Sequence, residues 1–445
     1  MRFTSLLHYV DEILLRDAYR ALNPDAVPGV DGATWQEYGE GLEEKLRNLK
    51  DRVHRGTYRA QPSKRTYIPK TDGSMRPLGI ASLEDKIVQQ AVVTVLNHIY
   101  EADFLGFSYG MRPGRNQHQA LDALWVAFME KKNVNWVFDA DIRGFFDAIH
   151  HGWALKFFEH RIADRRMLRL IQKWLRAGVS EDGEWSKSTV GTPQGAVVSP
   201  LIGNVFLHYV FDLWIEDWRH KRAKGDVAVV RYADDIVVGF EYKLDAECFH
   251  RDLRERFQKF ELELHPEKTR LIEFGRFAAI NRERRGETKP ETFAFLGFTH
   301  SCTRYSESPR GIIRRQTIRK RLVSKLHEVK KKLRTRRHQP IPIQGKWLRS
   351  VVQGYFNYHA VPTNFATLEQ FRRETARHWF RSLKRRSQKA RKGLNWSKFY
   401  PILKRWLPRP AILHPYPHVR FYRQHPRQEP YARKGPVRIR PGGAG

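Results

Sequence analysis

Two aspartates, Asp234 and Asp235, stand at the centre of VVRYADDIVVGF (residues 229–240), between two runs rich in β-branched residues. Apolar runs flanking a short polar centre read as a hairpin that projects both carboxylates from its tip. Adjacent carboxylates repel one another, and apolar flanks strengthen the repulsion, so a bound cation is its natural relief. Aspartate also suits turns for local reasons, and a turn alone would give the same pair of letters. A second acidic element bears on that choice. It lies 93 residues upstream of Asp234, in WVFDADIRGFFDAIH (residues 136–150), where a strand ending at Asp141 runs into Gly144, Phe145 and Phe146. If the two strands lie side by side, Asp141 and Asp234 meet at one end of a sheet. That pairing suits two Mg²⁺ ions that activate a hydroxyl nucleophile and neutralise a triphosphate during in-line displacement. Asp139 and Asp147 are weaker candidates, since Asp139 shares the strand and Asp147 fits a helix cap.

The elements that must position these residues are legible as an alternation of helices and strands. Residues 1–60 read as helical, with a turn at Pro28, Gly29, Asp31 and Gly32. The basic stretch that follows carries Asp72-Gly73, which marks a hairpin between Tyr67-Ile68 and Pro77-Leu78. Ile87, Ala91, Val95 and Ile99 give a helical period over residues 83–100, and strands are expected at Trp136–Ile142 and Val227–Phe240. Ser199-Pro200 reads as an N-cap followed by proline in the first helical turn, and a further helix is expected from Leu244. This alternation predicts a mixed α+β domain ending near residue 300. Beyond residue 310 the pattern is helical: Ile318, Leu322, Leu326, Val329 and Leu333 form an apolar stripe, with Arg319, Lys320, Lys325, Lys330, Lys331 and Lys332 mostly off it. Further helices are expected around Trp347–Tyr358 and Leu368–Leu383. From about Pro408 the chain is rich in Pro, Arg, His and Gly, a composition that favours an extended or disordered tail.

The charge is distributed unevenly. Of the 81 Lys and Arg, 37 lie in residues 301–445 with only 5 of the 48 Asp and Glu, which leaves 44 basic and 43 acidic residues in the first 300. Nearly all of the net +33 is therefore in the last third, and such an excess points to a nucleic acid, bound with the salt sensitivity that counterion release produces. An anionic membrane surface is the competing reading, but no lipidation motif accompanies the charge. The longest uncharged stretch, Ser188 to Phe211, contains Gly191, Pro193, Gly195 and Pro200, so it does not fit a membrane span. No secretory start is visible, and a soluble, cytoplasmic protein is expected. Two cysteines, Cys248 and Cys302, are too few and too far apart for a disulfide framework or a zinc site.

YADD at 232–235 and DIRGFFD at 141–147 resemble the catalytic motifs of reverse transcriptases, specifically those of group II introns. Further blocks resemble the same family in the same order: PGVDGATW (28–35), YIPKTDGSMRPLGI (67–80), YGMRPGRNQHQAL (109–121), GTPQGAVVSPLIGNV (191–205), LELHPEKTRLIEFG (262–275) and FAFLGF (293–298). The resemblance implies an α+β right-hand polymerase: an N-terminal helical segment (1–60), fingers and palm with an antiparallel sheet (61–300), an all-α thumb and maturase domain (301–407) and a basic tail (408–445). It implies that Asp141 and Asp234 hold two Mg²⁺ ions with Asp235 beside them, and that the backbone carbonyl of Ile142 completes a site. Phe146 falls where the family places a gate against the ribose 2′-hydroxyl, with Phe145 read as its core neighbour. Lys70 and Arg76 match positions that grip the incoming triphosphate, and Lys268 matches a lysine near the leaving pyrophosphate, a candidate general acid. In GTPQG the glycines let the backbone approach a nucleotide or template base, and Gln194 can hydrogen-bond there. Phe295, Leu296, Gly297 and Phe298 correspond to the primer grip, although an apolar hairpin packed on the palm would give the same letters.

The last third resembles the thumb and maturase region of the family, above all in GKWLRSVVQGYFNYHAVPTN (345–364). Basic helices interleaved with Trp347, Tyr355, Phe356, Tyr358, Trp379 and Trp396 suit RNA backbone contact and base stacking, with many of those rings in the core. The implied partners are group II intron RNA, an RNA template, a DNA primer or target, and deoxynucleoside triphosphates. Two departures stand out. The metal-dependent endonuclease with paired cysteines that many members carry is not expected here, and the N-terminus starts close to the first motif block, so template contacts made there by relatives are reduced or the start is truncated. Two alternatives stay open: an RNA-binding maturase that no longer polymerises, against which all three aspartates speak, and a repurposed host or antiviral reverse transcriptase. An RNA-copying RNA polymerase fits Phe146 less well.

Overall fold

The computed structural model describes residues 1–424 except 70–72, 74, 132, 182–183, 187–189, 193–194, 276, 288–289 and 306–307. Its packing divides the chain into two compact units. Among the described residues, one comprises Met1–Ala120 and Val137–Leu271; the other comprises Leu121–Trp136 and residues 272–424.

In the first unit, β1 (Ser63–Pro69) pairs antiparallel with β2 (Met75–Ile80), with Tyr67 opposite Pro77 and Ile68 opposite Arg76. This is the expected hairpin. It is anchored at its base by Asp85, near the start of the apolar helix Leu83–Asp103. The Asp85 carboxylate accepts hydrogen bonds from the Tyr58 hydroxyl, the Gln61 amide and the Ser82 hydroxyl. Ile87, Val88, Ala91, Val92 and Leu96 are fully buried along that helix. The next strands along the chain are β3 (Trp136–Ala140), β4 (Val179–Glu181), β5 (Glu184–Ser186), β6 (Val227–Tyr232), β7 (Asp235–Phe240) and β8 (Arg270–Glu273). One sheet has the order β2-β1-β4-β5 and the other β6-β7-β3-β8. Val227, Ala228, Val229 and Val230 of β6 and Ile236, Val237 and Val238 of β7 are all buried, as strands covered on both faces must be. The short strand expected to end at Asp141 stops at Ala140, and Ile142 instead forms an isolated bridge to Leu264.

In the second unit, β9 (Thr292–Phe295), β10 (Phe298–Tyr305) and β11 (Ser308–Thr317) form an antiparallel sheet in the order β11-β10-β9. The helical region therefore begins at Arg319, not at 310: alternation in the stretch ending IIRRQT places Ile313, Arg315 and Thr317 on a buried face at period two. From there Leu322, Val329 and Leu333 of Arg319–Thr335 pack with Leu348, Val352 and Phe356 of Ile341–His359 and with Leu368, Phe371 and Trp379 of Phe365–Lys384. Arg319, Lys320, Lys330, Lys331 and Lys332 are exposed, so one face packs and the other is basic. Of the aromatic residues expected to divide between core and surface, Tyr355, Phe356 and Trp379 are buried and Trp396 is exposed.

The segment after Pro408 is not simply extended. Pro417–Gln424 is a helix, with Phe421 buried. Its Arg420 shares the buried Asp122 carboxylate with Arg315, whose Nη1 donates at 3.1 Å. Burial of an apolar ring and completion of a buried ion cluster outweigh the local bias of a proline-rich sequence. Residues 425–445 lie outside the described part. Among the described residues no helix is long and apolar enough to cross a membrane.

Candidate active site

Register places Tyr232 opposite Asp235, which leaves Ala233 and Asp234 as the two-residue loop of the β6–β7 hairpin. Ala233 has φ 55°, the left-handed conformation that such loops favour and that glycine would adopt more cheaply. Two features hold this strained residue. The buried Arg231 guanidinium donates from Nη1 to the Ala233 carbonyl at 3.0 Å, and Gly110 lies so close that a Cβ there would come within 2.2 Å of the Ala233 nitrogen. The hairpin thus projects Asp234 from a fixed tip, while Asp235 begins β7 with its side chain exposed.

Because β3 neighbours β7, Asp141 comes to the same end of the sheet. Burial raises the Asp234 carboxyl above the usual range, and the charge of Asp141 raises it further, against the opposing influence of Arg76 and Arg231. Asp141 and Asp234 are therefore electrostatic neighbours, and Arg76, exposed on β2, faces the same cluster. The Asp141 carbonyl accepts from the His265 amide at 2.8 Å, and the Arg143 amide donates to the Glu263 carbonyl at 2.9 Å. This pairing leaves the Ile142 carbonyl out of the bridge. It also brings the following turn over the cluster, where Lys268 Nζ donates to Asp141 Oδ2 at 2.7 Å. Asp139 is pushed up to about 6 by burial, opposed by Arg270, whose guanidinium lies 3.7 Å away.

Gly144, at φ 54°, turns the chain from Asp141 into the short helix Phe145–Ala148. Phe145 is buried and Phe146 half-buried, with their ring centroids 5.1 Å apart. Both rings lie over Gly203, where a Cβ would approach them to about 3 Å. The Thr192 amide donates to the Phe146 carbonyl at 2.8 Å, so the GTPQG loop is tied to the same turn. Gly191 and Gly195 have φ 91° and 108°, the backbone freedom expected of that loop. Its Gln194 lies outside the described residues, as does Lys70. Ser199 is not the N-cap: it is the first residue of the helix Ser199–Leu207, Val198 occupies the cap position, and the Ser199 hydroxyl instead hydrogen-bonds with that of Thr192 at 2.6 Å. In the second unit, Leu296 and Gly297 form the loop between β9 and β10 with φ 45° and 84°, and the Leu296 carbonyl accepts from the Tyr358 hydroxyl at 2.9 Å.

Several residues that shape the site gave little signal in the sequence. Arg231 is fully buried, with Nε donating to Asp212 Oδ1 at 2.7 Å and Nη2 to Asp212 Oδ2, while Nη1 also reaches Asn204 Oδ1 at 3.0 Å. Burial, the largest influence, would raise Asp212, but the Arg231 guanidinium and His208 together outweigh it and hold the carboxylate below its usual range. An arginine at an inward position of a wholly apolar strand was the available clue, because such a charge demands a buried partner.

Among the described residues no three His, Cys, Asp or Glu side chains form a closed metal-ligand set. The residues present nevertheless fit Mg²⁺, which is characteristically bound by one or two carboxylates with waters and substrate phosphates completing its shell. Asp141 and Asp234 supply carboxylates whose mutual repulsion a cation would relieve.

Comparison with known proteins identifies the family. The family profile described as "Reverse transcriptase (RNA-dependent DNA polymerase)" matches residues 68–300. Protein YkfC of Escherichia coli (strain K12) is 33% identical over 276 residues, covering 55% of this chain and 72% of that protein. The group II intron-encoded protein LtrA of Lactococcus lactis subsp. cremoris is 40% identical over 167 residues, 37% of this chain and 27% of LtrA. A putative COX1/OXI3 intron 1 protein of Saccharomyces cerevisiae is 27% identical over 402 residues, 73% of this chain and 46% of that protein. The chain belongs to the reverse transcriptase family of RNA-directed DNA polymerases. Its mixed α+β architecture with antiparallel strand pairs is consistent with a right-hand polymerase. The chain thus spans most of YkfC but less than half of each of the two intron proteins.

Proposed function

We propose that this chain copies RNA into DNA on behalf of a group II intron and binds the intron RNA to assist its splicing and mobility. The observation that carries the polymerase reading is the coupling of Asp234, on its braced hairpin tip, to Asp141 at the end of the neighbouring strand. Asp141, Asp234, Asp235 and the Ile142 carbonyl are the groups we assign to two Mg²⁺ ions. When bound, these ions supply activation of the primer 3′-hydroxyl and neutralisation of the triphosphate.

The protein's own side chains do the remaining work. Arg76, on the hairpin strand β2, is assigned with Lys70 to gripping the triphosphate, since paired cationic donors can embrace a polyanion. Phe146, half-buried above Gly203, sets a wall against the sugar and thereby favours deoxynucleotides. Lys268 carries its ammonium beside Asp141, and we assign it proton donation to the leaving pyrophosphate. Gln194 is assigned to hydrogen-bonding with a nucleotide or template base through the GTPQG loop. The fingers and palm are assigned to residues 61–300 and the thumb and maturase region to 301–407. The exposed lysines and arginines of Arg319–Thr335 are the surface we assign to intron RNA, in the cytoplasm.

The test is DNA primer extension on an RNA template with Mg²⁺ and deoxynucleotides, comparing the parent chain with Asp234→Asn. Extension by the parent and its loss in the variant is the expected result. A well-folded parent that extends no primer, across salts and templates, would shift the reading to an RNA-binding maturase without polymerase activity.

A further inference from the structure

Arg231 is the most demanding residue of the first unit, because burying a guanidinium is costly unless every donor finds a partner. Its side chain has no exposure, and it satisfies three separate parts of the fold at once. Nε and Nη2 form a two-pronged pair with the Asp212 carboxylate, itself fully buried. Nη1 donates both to Asn204 Oδ1 and to the carbonyl of Ala233, each at 3.0 Å. Asn204 in turn donates from Nδ2 to the Gly110 carbonyl at 2.9 Å. The backbone of Arg231 joins the same frame: its amide donates to the Phe107 carbonyl at 2.9 Å and its carbonyl accepts from the Tyr109 amide at 2.8 Å. Asp212 ends a π-helical turn, His208–Asp212, inserted between the helices Ser199–Leu207 and Leu213–Lys221. Such a turn shifts the residues after it around the helix axis and is a recurrent feature of functional sites.

We propose that Arg231 is a positioning residue for the reaction. Clamped by Asp212, it fixes the carbonyl of the strained Ala233 and so sets the direction in which Asp234 presents its carboxylate, while Asn204 locks the same guanidinium to residues 107–110. The carbonyl of Ala233 and the carboxylate of Asp234 are separated by one peptide unit, so rotation at Ala233 moves the carboxylate directly. The pair with Asp212 takes only Nε and Nη2, and Nη1 is left to hold the loop. The further bonds to Ala233 and Asn204 are the ones that bear on the loop. This inference rests on the proposed role of Asp234 as a metal ligand, but its test does not depend on polymerase activity alone.

Two variants separate positioning from folding. Arg231→Lys keeps the charge opposite Asp212, but a single ammonium cannot span Asp212, Asn204 and Ala233 together. The double variant Arg231→Met with Asp212→Leu replaces the pair by apolar groups of similar size, which buried ion pairs often tolerate without loss of stability. Thermal melting, primer–template affinity, single-turnover nucleotide incorporation and direct Mn²⁺ binding followed by electron paramagnetic resonance are measured for each. The expected result is cooperative melting and parental primer–template affinity, with weakened Mn²⁺ binding and a maximal incorporation rate lowered on the order of 10²-fold, as a displacement of about 1 Å can produce. Folded variants that bind Mn²⁺ as the parent does would overturn the proposal, as would full activity of Arg231→Lys or losses that only follow stability. A parent that binds Mn²⁺ but extends no primer would overturn the polymerase reading instead, and the Mn²⁺ comparison would still decide the role of Arg231.

Discussion

Gly110→Ala changes one hydrogen to a methyl group at the point where residues 107–110 meet the hairpin tip. Gly110 does not have a positive φ, so alanine brings no backbone strain of its own and the effect is steric. The new Cβ would lie 2.2 Å from the Ala233 nitrogen, 2.7 Å from the Tyr232 carbonyl carbon and 3.1 Å from the Ala233 Cα. All three are backbone atoms, which cannot swing aside as the end of a side chain can. Ordinary contact of about 3.5 Å requires the tip to retreat by roughly 1.3 Å, or residues 107–110 to do so. The second route pulls on the Asn204 bond to the Gly110 carbonyl and hence on Arg231. Overpacking of this kind costs about 1–3 kcal/mol of stability. The same displacement, felt at Asp234, lowers nucleotide incorporation on the order of 10²-fold. Single-turnover primer extension at saturating primer–template and Mg²⁺, alongside thermal melting, measures both effects. Parental incorporation by a variant that melts at the parental temperature would refute the argument that Gly110 braces the site.

Two other substitutions probe separate parts of the molecule. Phe146→Ala removes the ring above Gly203 and should relax discrimination against ribonucleotides in competition assays, whereas unchanged exclusion of ribonucleotides would sink the gate assignment. Asp122→Asn leaves Arg315 and Arg420 without their shared buried carboxylate, and should cost about 3–5 kcal/mol in urea unfolding and increase amide exchange in Pro417–Gln424; parental stability and exchange would show that the cluster does not hold that helix.

The sequence by itself determined the acidic pair at the centre of VVRYADDIVVGF, the β1–β2 hairpin, the apolar stripe through Leu322, Val329 and Leu333, and the basic last third. Each is a local signal: a side-chain period of two or 3.6, a turn residue, or a count of charges. Local signals also misled in identifiable places. Proline and arginine after Pro408 argue for an extended chain, yet the Pro417–Gln424 helix buries Phe421 and joins Asp122, a residue 298 positions before Arg420. Ser199 has the letter of an N-cap, but its hydroxyl is taken by Thr192 across the loop. Only tertiary structure decided that Ala233, not a glycine, adopts the left-handed conformation before Asp234. That strain is tolerated because Gly110, Asn204, Asp212 and Arg231, spread over more than 120 residues of sequence, converge behind it. A hydrogen-bonded cluster of this kind has no period and no fixed spacing, since its members meet only after strands, loops and a π-helical turn have packed.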